Sequence, residues 1–521
     1  MLTGDWMHPK FAALSLFCLM MGAVVAVPRW RISTQSDHNA KFSPSIPRTW
    51  DDQAMAGLEV PLADPSASPK QVAADYYYKI PVRPIYKNYP VYAPGHEPPG
   101  YLEWLQKQDP VIAWDDKGHR PPLETEADWV KAGEIVFAAP VFEGQLGGHN
   151  SEGLYVRDPS FYKETCTPVA ADGTVPFYRY VVGKKGEVGI GILACAMCHT
   201  RIMPDGTILK GAQGSFPFDR AFAYNYRHGG DFPKDARGLE HFLYDTPWMH
   251  PDPRPGLDNM SIDDIASMHE RIPPGVLARH RTSPLFPVQV PDLIGVKDRH
   301  YLDRTGLQQH RSIVDLMRYA ALNQGGDDMA SFGGFIPDGS PLPGPAVVGG
   351  RYSDEQLYAL ALFIYSLQPP LNPNKPDALS QRGEEVFKRE NCPVCHTPLA
   401  YTSNKLTIAE GFTPPPDADE KYDILPVSVG TDADLTLKTR RGTGYYKVPS
   451  LKGVWYRSMF GHSGWCATLE DWFDPRRLRD DYIPSGFMPY GVKSYAVKGH
   501  RFGLKLSEDE RKALIAFLKT L

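Results

Sequence analysis

"CAMCHT" at residues 195–200 and "CPVCHT" at 392–397 each set two cysteines two residues apart, with a histidine directly after them. In Cys-x-x-Cys-His each thiol can add to one vinyl group of a haem, and the adjacent imidazole becomes a proximal iron ligand. The short spacing suits two vinyls that lie close together, and the histidine then reaches the iron from one face. The rival chemistries are a zinc ribbon and a thioredoxin-like dithiol. Zinc would draw on both cysteine pairs at once and leave each neighbouring histidine without a purpose. The pattern predicts two covalent c-type haems, attached at Cys195, Cys198, Cys392 and Cys395, with His199 and His396 on the irons.

The elements around the motifs repeat in the same order. "GEIVF" at 133–137 matches "GEEVF" at 383–387, and "PDLIGVKDR" at 291–299 matches "PSLKGVWYR" at 449–457. "SDEQLYALALFIYSL" at 353–367 matches "SEDERKALIAFLKTL" at 507–521. A tandem duplication of one unit explains four matched elements in register. Each unit has the layout of a small helical cytochrome c, in which a first helix precedes the haem motif and a last helix packs back on it. Ser353 and Ser507, followed by acids, read as N-caps of those last helices. The expected fold is therefore mainly α: two tandem cytochrome c-like domains, 126–370 and 376–521, with long irregular insertions and an extended N-terminal arm. "QPPLNPNKPDA" at 368–378 marks the boundary between them.

The halves differ in what they insert. Four residues separate GExVF from the haem motif in the second half, and 57 separate them in the first. The insertion 138–194, rich in Gly, Tyr and Pro, reads as a long ordered excursion over the first haem. Residues 28–125 carry "DYYYKIPVRPIYKNYPVYAPGHEPPG", whose prolines exclude a regular helix or a central strand. Aromatics this frequent need burial, so the segment reads as an arm wrapped on the surface and ending in a short helix at "GYLEWLQKQ".

A second axial ligand must come from the chain or be left to solvent and substrate. His500 stands seven residues ahead of Ser507, whereas Ala346 stands seven ahead of Ser353. One half offers an imidazole and the other a methyl group. The second haem is expected to be six-coordinate through His396 and His500, and the first, on His199, to have an open distal face. Met488 is the alternative to His500, which would otherwise be a surface histidine. His300, His310, Met317 and Met329 are the alternatives to an open first haem. A six-coordinate haem passes electrons, while an open one can bind peroxide or dioxygen.

The chain has 521 residues and a formal net charge of −5, with no basic surplus of the kind nucleic acid demands. "FAALSLFCLMMGAVVAV" at 11–27 reads as a secretory signal cleaved after Ala26, with an uncleaved anchor as the alternative. The body is expected to be periplasmic or secreted, where c-type haem is attached. Cys166 and Cys466 remain after the haem cysteines are assigned, and either a disulfide or two unpaired buried thiols would account for them.

The run "YKVPSLKGVWYRSMFGHSGWCATLEDWFDPRR" at 446–477 resembles the second-domain signature of the bacterial dihaem cytochrome c peroxidase and MauG superfamily. With the "GHRFG…LS" ending, the chain looks most like the rubber-oxygenase-like branch. The resemblance spans roughly residues 125–521. It implies His199 and His396 as proximal ligands and His500 as the distal ligand of the second haem. It also implies that His462, in "FGHSG", supports activity from beside the haems. The bland alternative is that His462 only builds a turn. Two features depart from the family. Leu302, next to Tyr301, occupies the place of its inter-haem tryptophan, so the electron path either uses another aromatic, such as Trp455, or is slow. No acidic residue matches the peroxidase's distal acid/base group.

Two functions compete on these grounds. One is an oxidoreductase, peroxidase or oxygenase, working at the first haem with the second as electron store. The other is an electron carrier with both haems six-coordinate. A carrier needs neither a 57-residue insertion nor an aromatic arm, which favours the enzyme. The partners implied are a small redox donor or carrier and peroxide or dioxygen. The organic substrate leaves no mark in the sequence.

Overall fold

The computed structural model describes residues 41–64, 70–142, 155–229, 240, 254–278, 285–323, 330–331, 350–439 and 441–521. The apolar stretch 11–27, Met329 and Ala346 lie outside the described residues. Two helix pairs organise the fold: α1 (Glu126–Phe137) against α2 (Asp354–Ser366), and α3 (Ala378–Arg389) against α4 (Glu508–Lys519). All four begin with a capping box, Thr125 with Asp128, Ser353 with Gln356, Asp377 with Ser380 and Ser507 with Glu510. Each box satisfies two backbone donors that a helix start would otherwise leave unpaired.

The GExVF motif explains why both pairs cross in the same way. Gly, Val and Phe fall at i, i+3 and i+4, hence on one helix face. Gly133, Val136 and Phe137 are buried in the first pair, and Gly383, Val386 and Phe387 in the second. A Cβ on Gly133 would overlap the Ala359 carbonyl, and a Cβ on Gly383 would overlap that of Ala513. The rings beside these crossings match as well: Phe137 and Phe363 lie 5.1 Å apart at 52°, Phe387 and Phe517 5.3 Å apart at 56°. Gly383→Ala should therefore destabilise the second half. Overpacking costs about 1–3 kcal/mol, which outweighs a helix-propensity gain of about 1 kcal/mol. Urea unfolding would register it as a lower midpoint at unchanged slope.

The chain is less helical than the sequence suggested, 33% helix against 14% strand. The difference lies chiefly in the insertion and the arm. Strands β1 (Asn88–Tyr92), β2 (Val141–Phe142), β3 (Thr174–Lys184) and β4 (Glu187–Ile192) form one antiparallel sheet in the order β1-β3-β4-β2. β3, "TVPFYRYVVGK", is buried along most of its length, as a central strand covered on both faces must be. It turns into β4 through Gly186 at φ +86°. The arm supplies only the edge strand β1, so Pro90 removes no ladder bond that a central strand would need. Elsewhere the arm enters the first core, where Trp50 and Tyr77 stack 4.4 Å apart at 11°, both buried. It also carries a helix at Tyr101–Gln106. Among the described residues, no helix is long and apolar enough to cross a membrane.

Candidate haem sites

In the second half, Cys392–Val394 forms a single tight turn, and the His396 amide closes it on the Cys392 carbonyl at 2.8 Å. His396 Nδ1 lies 3.2 Å from the Tyr401 carbonyl. A donor on Nδ1 fixes the tautomer and leaves the Nε2 lone pair for a metal. Burial pushes this imidazole down to about 4, so it is neutral at ordinary pH.

His500 approaches from the opposite side. Its ring centroid is 6.4 Å from that of His396. Two imidazoles each bonded to one iron at about 2 Å hold their centroids about 6 Å apart. The backbone of His500 is left-handed, φ +42°, after Gly499 at φ +78°. That conformation costs a non-glycine residue about 1–2 kcal/mol and needs support. The support comes from Val429, whose carbonyl accepts from the His500 amide at 2.7 Å, and from Arg477. The buried Arg477 guanidinium donates to the carbonyls of Trp472, Val497, Gly499 and His500. Trp472 and Phe502 flank the His500 ring, each at 5.3 Å. His500 Nδ1 is buried with no hydrogen-bond partner among the described residues, and burial holds the ring neutral, down to about 3. Nothing polar therefore draws this imidazole into place.

Both histidines face a cavity of about 1490 Å³, whose walls also carry Cys392, Cys395, Trp472 and Phe473. Met488 does not line it. Two cysteines, a pre-set imidazole, an opposing unpartnered imidazole and apolar walls fit a covalently held haem. Burial raises Cys392 to about 11 and Cys198 to about 12. A dithiol built for disulfide exchange needs the opposite shift.

His462 stands on the wall of the same cavity. It stacks on Tyr446 at 4.2 Å and 15°, meets Trp465 edge-on at 4.4 Å, and its Nε2 lies 3.2 Å from the Tyr446 hydroxyl. Its carbonyl accepts from the Gln289 amide at 2.8 Å, which ties the turn to the first half. His462 thus builds a turn and borders the cavity at once. Burial lowers it to about 3, aided by Arg304.

The first half repeats the proximal device. Cys195–Cys198 forms one helical turn at the seam between the helical core and the sheet core, and His199 Nδ1 lies 3.1 Å from the Pro291 carbonyl. Burial lowers His199 to about 4. In both halves a backbone carbonyl meets Nδ1 of the histidine, from Pro291 in the first and from Tyr401 in the second. His310 has both ring nitrogens engaged, by the Arg299 carbonyl and the Tyr365 hydroxyl, each at 2.7 Å. His300 is exposed and paired with Asp423, and Met317 is buried in the first core. Ala346, the residue matched to His500, lies outside the described residues.

The chain is similar to a MauG-like protein. That solved structure, of a MauG-like protein associated with microbial copper homeostasis, is 19% identical with a TM-score of 0.27, covering 55% of this chain and 88% of that one. Hydrazine synthase of Kuenenia stuttgartiensis, pressurised with xenon, is 16% identical with a TM-score of 0.29, covering 54% and 85%. No family model matches the sequence, and no curated protein matches it.

Several residues beside the two sites had no sequence signal of their own. Arg477 is one. Tyr352 is another: it is buried, and Arg83 from the arm lies 4.4 Å over its ring. Trp455 and Tyr456 pack on Ala212 and Ile294, next to the hairpin that follows His199, and Tyr456 donates to Asp292 at 2.8 Å. Leu302 is buried in the first core. Cys166 is exposed and Cys466 buried, and no bond joins them.

Proposed function

We propose that this protein is an exported dihaem c-type cytochrome and an oxidoreductase. We place it in the dihaem cytochrome c peroxidase and MauG superfamily, nearest the rubber-oxygenase-like branch. His199 holds the reactive iron, and His396 with His500 holds the electron-transfer iron. The observation that carries this reading is the opposition of His396 and His500 across one cavity, 6.4 Å between centroids, with Cys392 and Cys395 on its wall. Haem supplies an iron that exchanges single electrons and, where an axial position is open, binds peroxide or dioxygen.

The residues of the chain divide the remaining work. The carbonyls of Pro291 and Tyr401 hold the proximal imidazoles in one tautomer. His500 closes the second iron to substrate, and Arg477 keeps the His500 turn in place. His462, neutral and stacked on Tyr446, shapes the cavity wall nearest the first half. Trp455 and Tyr456 replace the missing inter-haem tryptophan as the aromatic path between the halves. A small redox protein is the electron donor.

The deciding measurement is the mass of the protein exported from a host that attaches c-type haem. Two haems per chain are expected, with residues 1–26 removed. A chain carrying none or one would sink the reading.

A further inference from the structure

The segments that begin at the matched prolines, Pro291 and Pro449, border a further, small cavity. Between Pro291 and Pro449 its lining holds Arg299, Arg304, Lys447 and Arg457 against a single carboxylate, Asp292. Four cations and one carboxylate leave a formal surplus of three positive charges. Arg299 and Arg457 are matched positions of the repeat, and each donates to the carbonyl that follows its own proline, Asp292 or Ser450. Each half therefore sends one arginine to the same place. Lys447 Nζ is held by the carbonyls of Tyr301 and Leu302 at 3.1 and 3.0 Å. Burial and the neighbouring Arg304 and Arg299 push Lys447 well below its ordinary range, and Asp303 behind the lining pulls the other way; an anion in the cavity favours the charged ammonium. Arg457 Nε lies 4.0 Å from Asp292, and among the described residues Arg304 Nε and Arg457 Nε are both buried with no hydrogen-bond partner.

Like charges gathered out of water repel, and buried donors left unmet cost free energy, so such a cluster calls for an anion. Its place says which one. Arg304, Lys447 and Arg457 line this cavity and also the larger one that carries Cys392, Cys395, His396 and His500. We propose that the basic cavity is a carboxylate site that takes the propionate groups of the second haem on Arg304, Arg457 and Lys447. The proposal rests on the haem reading of Cys392–His396. A free anion such as phosphate has the same chemistry, but nothing about it would require the cations to border the cavity of His396.

Positive charge beside a haem favours the ferrous over the ferric iron, because reduction removes one unit of positive charge. Losing one of these cations should lower the potential of the second haem and leave the first closer to its original value. The test uses the full exported holoprotein, with two haems verified by mass before any titration. Redox titration would follow the low-spin haem in wild type, Arg304→Gln, Lys447→Gln and Arg304→Lys. In each Gln variant the ferric to ferrous ratio at fixed applied potential should rise about tenfold, or 59 mV for one electron. Arg304→Lys, which keeps the charge, should stay near wild type. Infrared bands of isotope-labelled propionates should shift in the Gln variants only. Inorganic phosphate should leave the wild-type potential unchanged. Unchanged potentials and carboxylate bands in both Gln variants would overturn the proposal, as would a wild-type potential that moves with phosphate. If Arg304→Gln does not accumulate, Lys447→Gln decides alone. A wild-type chain with no haem on Cys392 and Cys395 refutes the underlying reading instead, and the mass separates the two failures.

Discussion

His500→Ala turns one low-spin haem per chain into a high-spin haem that accepts carbon monoxide, and leaves the other unchanged. The expectation follows from how His500 is held. Its Nδ1 has no partner, its left-handed backbone costs energy, and its turn depends on Val429 and Arg477. Such an imidazole is built to present Nε2. With a methyl group in its place, the second iron keeps only His396. The midpoint potential should move as well, since axial ligand identity spans about 0.8 V across haem proteins. Electron paramagnetic resonance and a reduced carbon monoxide spectrum would read the change. A low-spin signal of unaltered size in His500→Ala would hand the ligand role to Met488 or another side chain. Arg477→Met should give a milder version, a mixture of spin states, because it removes the brace and not the ligand.

Carbon monoxide should saturate reduced wild-type protein near one equivalent per chain. The first haem takes it, and the second is closed by His500. His199→Ala should abolish that binding and any oxidative turnover. His396→Ala should keep the ligand binding of the first haem and lose the electron supply. The two variants remove matched residues of the repeat, each with Nδ1 on a backbone carbonyl, so opposite outcomes would report the asymmetry between the halves. Peroxide is the first oxidant to try, and dioxygen with an apolar olefin the second. With Leu302 in the place of the inter-haem tryptophan, electron sharing between the haems after peroxide should be slower than in true peroxidases. If wild-type protein binds neither carbon monoxide nor cyanide in either redox state, the chain is an electron carrier.

Much of the framework was readable because it is local. A helix start is written in four residues, and Ser353 and Ser507 do cap α2 and α4. The prolines of the arm excluded a central strand, and β1 lies at a sheet edge. The insertion was misread as irregular although its signals were present. "VPFYRYVV" is a run of β-formers, and "GKKGE" is a turn with glycine where φ is positive. The density of Gly and Pro around that run obscured it. Cys166 and Cys466 could be counted but not placed, since distance between thiols is a tertiary quantity.

The sequence by itself carried the two Cys-x-x-Cys-His motifs, the repeated GExVF glycine and the repeated proline. Each depends on spacings of a few residues, which a chain keeps however it folds. Only the tertiary structure decided that His500 and not Met488 lines the cavity with His396, and that Arg477 braces its turn. It alone brought Arg299, Arg304, Lys447 and Arg457 to one cavity between the halves. The sequence separation of these four residues says nothing about their spacing in the fold. Electrostatic energy depends on distance through space and on exclusion of water, and both arise only when distant segments pack.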